Sequence, residues 1–393
     1  MKVLLVTTSY PLDEQSSSGI FVKRLKNALE KLCQVEVVCP DDDISRSDVT
    51  GVYRSRYTLK AWQTLAHRPG GIPAAIRRDF RYVLLVPFLL LSMQISILRR
   101  LSACDVVFAN WAINAWIAWL PSFLLQKPLI TTFRGEDVRN LDTGLSLLIV
   151  RFALRVSDVV VLVSADMQES LIRRFPQYKK KLRVIHNGVE GSLLSEEVAA
   201  KFTAQNDYFH ILTVASLIPR KDIATLLKAL AIIQRKSDIQ ANLHLNVVGG
   251  GELMSPLKLL CKELNIENSV TFEGLRTPEQ VGKKYRYSQI FVLPSLVEGR
   301  PNVVVEAMAA GCCVLVSDID GCRELVCDGK SGYLVTAGNE QELVEKLIKV
   351  IMNDSLRIRL GVAARKFVVD NNLSWDGCAR EYQSLFSGVI KAI

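Results

Sequence analysis

Two glutamates and the loop before the second one carry the clearest chemical signal in the chain. Glu298 follows an apolar run that predicts a strand, and Glu306 comes after seven further residues, inside a helical pattern. Gly299 allows the backbone to approach a ligand closely, and N–H groups at a helix start favour a phosphate. A carboxylate nearby can accept two hydrogen bonds from a cis-diol, as on ribose. The segment 294–311 therefore predicts a site for phosphate and sugar hydroxyls; for either glutamate alone, capping of the helix dipole is the alternative.

Two further loops carry a cation pair and a glycine run. Arg220 and Lys221 follow the predicted strand 208–214; taken alone, such a pair is typical of a solvated turn before a helix. Gly249-Gly250-Gly251 ends the predicted strand 243–248 and opens a helix. The run lacks the GxGxxG spacing of a dinucleotide site, so ligand approach and tight packing of strand against helix both stay open.

These segments together resemble the second half of a retaining GT-B glycosyltransferase of the family 4 type. The resemblance is carried by Glu298 and Glu306 as a Glu-x7-Glu signature, by a Gly-x-x-Glu at 321–324 and by an Asp-Gly-x-x-Gly at 328–332. It covers nearly the whole chain and is strongest from 214 to 335. It implies an α/β chain with the GT-B fold, in which two Rossmann-like domains face each other across a cleft and ligands lie at the C-terminal ends of strands.

The resemblance also implies a donor site, residue by residue. Glu306 would bind the ribose of the donor, Glu298 the hydroxyls of its sugar, and Lys221 its diphosphate. The implied donor-binding residues are Gly19, Ser216, Gly249, Gly250, Leu275, Gly299, Arg300, Pro301, Asn302 and Glu306. The implied catalytic residues are Glu298, Lys221, Arg220, Asp137 and Arg134.

Three positions depart from the family pattern. Ser216 stands where many members have an arginine, which Arg220 is a candidate to replace. Arg134 takes the histidine position of a His-Gly-x-Asp pattern at a strand end, where an arginine would bind an anionic acceptor or stabilise negative charge. Asp137 would position the acceptor hydroxyl, with helix N-capping as its alternative. Arg300 replaces a leucine, and we expect its side chain to point to solvent rather than to a phosphate or an anionic sugar.

The order of apolar runs predicts the same βα architecture twice. Short apolar strands alternate with helical segments in both halves, and a polar stretch without a strand pattern separates them. We therefore expect an N-terminal acceptor domain over 1–190, a linker over 191–207 and a C-terminal donor domain over 208–372. A last helix, about 373–393, is a candidate to pack back on the first domain.

Composition places the chain among globular proteins. It has 393 residues, 49% of them apolar and 23% charged, and a net charge of +9, which excludes a disordered chain and favours two domains. The N-terminal apolar run is too short for a signal peptide, so we expect a cytoplasmic protein with free thiols. The cysteines lack metal-type spacing and the chain lacks a nucleic-acid-binding motif. Neither a metal nor nucleic acid is therefore expected.

An arginine-flanked apolar run is the feature that points to a membrane. The stretch 68–100 holds six arginines and one acidic residue around the uncharged run 83–98. No apolar run of eighteen residues without charge occurs, so we expect no membrane-spanning helix. A helix lying in the interface of an anionic membrane, through 77–100, fits the pattern, and so does a buried core helix.

The predicted function is the retaining transfer of a hexose from a nucleotide diphosphate sugar to a glycan or lipid-linked acceptor in cell-surface polysaccharide biosynthesis. UDP ranks first and GDP second as the nucleotide. The resemblance implies front-face attack, in which the leaving phosphate helps take the acceptor proton, without a protein nucleophile, metal or cofactor. The protein would be cytoplasmic, and peripheral on the inner face of the plasma membrane if the apolar run contacts lipid. A non-catalytic membrane-associated protein of this fold and a nucleotide-sugar epimerase are the alternatives.

Overall fold

The computed structural model describes residues 1–11, 19–42, 50–59, 62–63, 65–66, 71–139, 141, 144–195, 209–236 and 242–392. They form two compact units, Met1–Asn187 with Trp375–Ile393, and Gly188–Ser374. The boundary thus lies just before the segment expected to be a linker. Of that segment, Gly191–Leu194 is a 3-10 turn in the second unit, whereas 196–207 lie outside the described residues.

A seven-stranded parallel sheet is the centre of the first unit. Its strands are β1 (Lys2–Thr7), β2 (Gln34–Pro40), β3 (Val52–Ser55), β4 (Val106–Asn110), β5 (Leu129–Phe133), β6 (Val159–Leu162) and β7 (Leu182–Val184). The spatial order is β3-β2-β1-β4-β5-β6-β7. Most of these strands are nearly continuous apolar runs, as expected for strands covered on both faces. The order reverses between β1 and β4, and open α/β sheets bind ligands beyond the strand ends at such a switch point.

Helices from both ends of the chain cover this sheet. They are α1 (Ile20–Leu29), α2 (Gly71–Arg78), α3 (Val86–Leu101), α4 (Ala112–Leu124), α5 (Gly135–Arg139), α6 (Gly144–Val156), α7 (Ala165–Arg174) and, from the C-terminus, α15 (Trp375–Ala392). Helix α15 contributes Tyr382 and Phe386, whose ring centroids lie 4.9 and 5.3 Å from that of Phe108 in β4. The Tyr382 hydroxyl also shares a hydrogen bond of 2.9 Å with Thr132 in β5. The last helix is therefore part of the first unit's core.

A six-stranded parallel sheet forms the second unit. Its strands are β8 (Phe209–Val214), β9 (Leu243–Val248), β10 (Val270–Gly274), β11 (Ile290–Leu293), β12 (Cys313–Ser317) and β13 (Tyr333–Val335). They lie in the order β10-β9-β8-β11-β12-β13, so this sheet has its switch point between β8 and β11. Its helices are α8 (Ile223–Gln234), α9 (Met254–Glu263), α10 (Pro278–Tyr287), α11 (Asn302–Ala309), α12 (Asp320–Arg323), α13 (Glu340–Ile351) and α14 (Asp354–Asp370).

The apolar run between the arginines forms a longer helical segment than the sequence indicated. A 3-10 stretch, Phe80–Leu85, leads directly into α3. By length and composition alone, the 22 residues Phe80–Leu101 would suffice to cross a membrane, so the sequence criterion of eighteen uncharged residues does not by itself exclude such a helix. Helix α3 buries Leu89, Met93, Ile97 and Leu101 in the core of the first unit. Only 17% of the most apolar window of the segment is buried.

Candidate active site

The two loops beside the switch point of the second sheet bring Lys221 and Glu298 together. Lys221 ends the 3-10 turn Pro219–Lys221 after β8, and Glu298 lies in the loop after β11. The Lys221 ammonium donates a hydrogen bond to Glu298 Oε1, with side chains only 13% and 11% exposed. The loops are also joined through their backbones, because the N–H of Leu296 donates to the carbonyl of Arg220 at 2.8 Å.

Ser295 completes this contact at the end of β11. Its hydroxyl donates to Glu298 Oε1 at 2.8 Å, and the residue is fully buried. Two donors therefore hold one carboxylate oxygen of Glu298, and the Lys221 charge is fixed rather than dispersed over rotamers. The arrangement can present an oriented cation and a carboxylate to one ligand, as electrostatic catalysis requires.

Glu306 is buried in α11, in the second turn of the helix. It is 9% exposed, and its Oε2 accepts a hydrogen bond of 3.2 Å from the hydroxyl of Tyr285 in α10. Helix α11 begins at Asn302, so Pro301 is its N-cap residue. No acidic residue lies in that first turn, and the positive end of the helix dipole stays available to an anion.

Arg300 does not point to solvent, contrary to the prediction. Its side chain is only 3% exposed, and Nε lies 3.9 Å from Oε2 of Glu324. Glu324 follows α12 and is the glutamate of the Gly-x-x-Glu motif. Gly321 brings α12 close to this loop, because a Cβ at Gly321 would lie 2.3 Å from the carbonyl oxygen of Gly299. Arg300 is thus buried beside a segment that is distant in the chain, which the loop sequence alone cannot reveal.

The glycine run after β9 packs tightly against the loop after β8. Gly249 has φ 137°, and a Cβ there would lie 1.9 Å from the carbonyl oxygen of Ala215. Packing thus explains Gly249 without a ligand. Gly250 differs, because a Cβ there would meet Leu275 at 3.4 Å, an ordinary contact. Leu275 itself is 76% exposed, and so is available to a bound group.

Apart from Gly19, which lies in the first unit, the other residues of the predicted donor site occupy the same edge of the second sheet or the loops beside it. Ser216 is exposed just after β8, and Arg220 is half-buried beside Lys221. Gly299 and Asn302 are half-buried between β11 and α11. Thus the fold brings together the two loops that flank the switch point, although they lie far apart in the sequence.

In the first unit, Arg134 is buried at the end of β5 and not exposed to bulk solvent. It is 5% exposed. Its Nη1 donates to Asn187 Oδ1 at 2.7 Å and its Nη2 to Asn110 Oδ1 at 2.8 Å. The guanidinium carbon lies 4.4 Å from the ring centroid of Phe21. Burial lowers the pKa of Arg134, but a guanidinium stays protonated in proteins, so this strand end carries a fixed positive charge.

Asp137 lies one turn after Arg134 and accepts backbone hydrogen bonds. Its Oδ2 accepts from the N–H of Arg134 at 2.8 Å and its Oδ1 from the N–H of Ala112 at 3.3 Å. Burial raises the pKa of Asp137 to about 7, and these N–H groups and the Arg134 cation offset only part of that effect. Capping of the turn explains the geometry, and the raised pKa allows a proton to be held or released near neutral pH.

The switch point of the first sheet has two residues with unusual backbone conformations. Gly19 precedes α1 with φ 71°, and a Cβ there would lie 2.4 Å from the carbonyl oxygen of Ser9. Trp111, which follows β4, has φ 77°. A positive φ in a tryptophan stores strain, and such residues concentrate at binding sites.

Several residues beside these groups were not among the predicted site residues. They are Ser295, Tyr285, Glu324, Asn110, Asn187 and Trp111. Ser295 and Glu324 lay inside motifs already recognised, and Asn187 lies in an Asn-Gly pair just after β7. Tyr285 and Asn110 had no signal, since each reaches its partner only through tertiary packing. Within the described part of the chain, no group of three or more His, Cys, Asp and Glu side chains is placed to hold a metal ion.

Two protein-family models match adjoining parts of the chain. The model described as Glycosyltransferase Family 4 matches residues 18–192, and Glycosyl transferases group 1 matches 195–367. One relative is the N-acetylgalactosamine-N,N'-diacetylbacillosaminyl-diphospho-undecaprenol 4-alpha-N-acetylgalactosaminyltransferase of Campylobacter jejuni. It is 31% identical over 209 residues, which are 51% of this chain and 53% of the relative.

Solved structures share the fold over the whole chain. Sucrose-phosphate synthase from Thermosynechococcus elongatus has a TM-score of 0.79 at 20% identity, with 100% of both chains covered. HepE of Anabaena, solved in complex with UDP, has a TM-score of 0.72 at 19% identity, covering 99% of this chain and 100% of its own. The two parallel sheets are those of the GT-B fold. This chain belongs to the family 4 glycosyltransferases, also called glycosyl transferases group 1, a retaining family that uses nucleotide-sugar donors.

Proposed function

We propose that this protein transfers a hexose, with retention, from a nucleotide diphosphate sugar to a glycan or lipid-linked acceptor in cell-surface polysaccharide biosynthesis. UDP is the first candidate nucleotide and GDP the second. HepE, which shares the fold, was solved with UDP. The Campylobacter relative is named for a diphospho-undecaprenol acceptor, which supports a lipid-linked one here. Such an acceptor would place the enzyme on the cytoplasmic side of the membrane.

The observation that carries the proposal is the contact of Lys221 with Glu298 beside the start of α11. An ammonium fixed there offsets negative charge on the departing nucleoside diphosphate. The Glu298 carboxylate accepts hydrogen bonds from sugar hydroxyls, and the N–H groups at the start of α11 favour phosphate oxygens. The acceptor oxygen forms the new bond to the anomeric carbon as the bond to phosphate breaks. The leaving phosphate takes the acceptor proton, so no metal is required.

In the first unit, Arg134 and Asp137 are the proposed acceptor-side residues. The buried guanidinium provides positive charge for an anionic acceptor. The Asp137 carboxylate would accept a hydrogen bond from the acceptor hydroxyl, which orients the oxygen that attacks. Both groups lie at the carboxyl end of β5, where open sheets of this type bind ligands.

The experiment is thermal unfolding of the purified chain with UDP, GDP, ADP, CMP and dTDP, repeated on Glu306→Gln and Tyr285→Phe. A diphosphate at one hundred times its Kd should stabilise the protein by about 2.7 kcal/mol. Glu306→Gln should lose most of that shift, because an amide cannot accept two diol hydrogen bonds in the same way. Tyr285→Phe removes the Glu306 hydrogen-bond partner but leaves the carboxylate, so it should keep the shift. A shift that survives in Glu306→Gln, or no shift with any nucleotide, would contradict the proposed donor site.

A further inference from the structure

We propose that helices α3, α4 and α6 form one surface that binds an anionic lipid bilayer. We call it the three-helix face and define it by the exposed apolar side chains of 84–98, 116–124 and 145–148. The inference goes beyond the apolar run recognised in the sequence, because two of the three helices lie outside that run. It concerns what covers the first unit, and its test requires neither a sugar donor nor an acceptor.

Helix α3 has more apolar surface than the core can cover. Its buried stripe recurs every four residues from Leu89 to Leu101. Leu84, in the 3-10 stretch that leads into α3, is 71% exposed, and Phe88, Leu91 and Ile95 of α3 are 59%, 56% and 40% exposed. These positions are spaced by four and three residues, so they form a second stripe on the side opposite the core. A helix that is apolar on both sides requires a second apolar environment.

Helices α4 and α6 extend this stripe into a wider apolar area. Helix α4 packs against both α3 and α6. Trp116, Trp119 and Phe123 are 40%, 37% and 68% exposed on one side of α4, and Leu145 and Leu148 are 73% and 59% exposed on α6.

Aromatic contacts show that the exposed sides of α4 and α6 adjoin. The ring of Phe152 in α6 lies 4.1 Å from that of Trp116 and 5.5 Å from that of Trp119, between centroids. Contiguous apolar patches of this kind mark interaction sites, and tryptophans are enriched at the level of lipid headgroups.

The charges around the three-helix face select an anionic partner. Helices α2, α3 and α6 and the 3-10 stretch before α3 contain seven arginines and no acidic residue; α4 contains neither. The arginines are Arg77, Arg78, Arg81, Arg99, Arg100, Arg151 and Arg155. Asp79, between α2 and the 3-10 stretch, is already bonded to Arg81 at 2.8 Å. Arginines beside an apolar helical face are the pattern of a helix bound to anionic headgroups.

Two other occupants fit the charges and the packing less well. A second copy related by two-fold symmetry would present the same face to itself, and would place arginines opposite arginines. A membrane-spanning arrangement of α3 would remove its buried stripe, including Met93 and Ile97, from the core that they share with β1 and α4. Binding flat on a bilayer keeps that core and covers the outer stripe.

Helix α4 connects this surface to the proposed acceptor residues within the same unit. Its first residue, Ala112, donates its N–H to Asp137, and its exposed aromatic residues follow one to three turns later. Thirteen residues of helix span about 20 Å. A bilayer under the three-helix face therefore lies within reach of the carboxyl end of β5, which suits an acceptor held in the membrane by a lipid.

The test is co-sedimentation of the full chain with vesicles of phosphatidylcholine alone or with phosphatidylglycerol added. We expect binding to the anionic vesicles only, and weaker binding as salt rises from about 0.1 M to about 1 M, because the Debye length falls from about 10 to about 3 Å. Leu91→Ser/Phe123→Ser should weaken binding by about tenfold or more, since each side chain loses apolar burial. Its control, Leu259→Ser/Val362→Ser, changes residues 59% and 50% exposed in the second unit, and should bind normally.

Two double charge variants distinguish binding to anionic headgroups from nonspecific adsorption to the vesicles. Arg78→Gln/Arg99→Gln should lower affinity and reduce the salt dependence, whereas Arg173→Gln/Lys236→Gln, with the same loss of charge elsewhere on the surface, should change neither. Sedimentation velocity of the free protein tests whether a second copy of the chain covers the three-helix face instead. Absence of binding to anionic vesicles, with either a monomer or a dimer that Leu91→Ser/Phe123→Ser dissociates, would overturn the proposal. Equal binding by the Leu91/Phe123 variant and its control would do so as well.

Discussion

Asp137 is a carboxyl group of the first unit whose pKa differs strongly from that of a free aspartate. It accepts two backbone N–H groups and lies beside the Arg134 cation, interactions that favour a carboxylate. Burial outweighs them and raises the pKa of Asp137 to about 7. In the unfolded chain an aspartate has a pKa of about 3.9. Between these two values the folded protein binds more protons than the unfolded one.

This difference predicts a pH dependence of stability for Asp137→Asn. The ionised carboxylate is disfavoured in the folded state, so the free energy of unfolding of the wild type should fall as pH rises from about 4 to about 7. The asparagine does not titrate. Its stability relative to the wild type should therefore improve over that interval, by up to about 4 kcal/mol at 1.36 kcal/mol per pKa unit. Urea unfolding at several pH values measures the change.

Asp318→Asn is the matched control for this titration. Hydrogen bonding to Arg323 lowers the pKa of Asp318, so that carboxylate titrates below the same interval. The stability difference between Asp318→Asn and the wild type should stay level from about pH 4 to about pH 8. A level curve for Asp137→Asn as well would refute the raised pKa.

The location of Lys221 and Glu298 beside the same sheet edge could be anticipated from sequence, whereas their direct contact and the burial of Arg300 could not. Lys221 and Glu298 follow two strands whose motifs fix their register, and parallel strands bring their carboxyl ends to one edge of the sheet. Arg300 stands in the same loop, but it is buried beside a segment more than twenty positions away in the chain. That segment contains Glu324, close to the guanidinium, and Gly321, close to the loop backbone. A charged side chain in a loop is ordinarily expected to be exposed. The neighbouring residues do not encode contacts with a distant segment, so they gave no sign that Arg300 is buried.

At the scale of elements, substitutions in the glycine run after β9 distinguish a packing role from a ligand-binding role. Gly249→Ala should destabilise the protein severely, since its Cβ would meet the Ala215 carbonyl oxygen at 1.9 Å and the residue has φ 137°. Gly338→Ala shares a positive φ but meets nothing within 4 Å, and should cost about 1 kcal/mol. Gly250→Ala should cost little stability and yet weaken binding of the nucleotide. Urea unfolding and a nucleotide titration measure the two effects.

The three outcomes together would decide between the two interpretations of this loop. Normal nucleotide affinity in Gly250→Ala would leave packing alone as the reason for the run. Near-wild-type stability in Gly249→Ala would contradict the close approach to Ala215. Gly338→Ala measures the cost of a positive φ alone, because a Cβ at Gly338 meets no other atom within 4 Å.

Elements with strong apolar patterns were predictable from sequence, whereas two short edge strands were not. The strand 243–248 has the predicted bounds. The edge strands β3 and β13 have only four and three residues, too few for a period to show. The tertiary packing of α3 was also hidden, because an apolar helix with two apolar sides has the same composition whether it is half-covered or fully covered.

At the scale of the whole molecule, the chain leaves the first unit and returns to it. The first unit takes α15 from the C-terminus, and Tyr382 and Phe386 of that helix are almost completely buried. The second unit has separate cores, built from residues between 189 and 373. A substitution in α15 should therefore destabilise the unit that contains the N-terminus, although it lies some 190 positions from the end of that segment.

This division predicts where a nucleotide acts in a calorimetric scan. Phe386→Ala and Leu347→Ala remove buried side chains from the first and second units, and each should cost about 2–5 kcal/mol. We expect each variant to lower a different unfolding transition. UDP near one hundred times its Kd should raise the transition that Leu347→Ala lowers, by roughly 5–10 °C for a unit of this size. It should leave the Phe386-sensitive transition in place, because Lys221, Glu298 and Glu306 all lie in the second unit. A nucleotide that raises the Phe386-sensitive transition instead would move the donor site to the first unit.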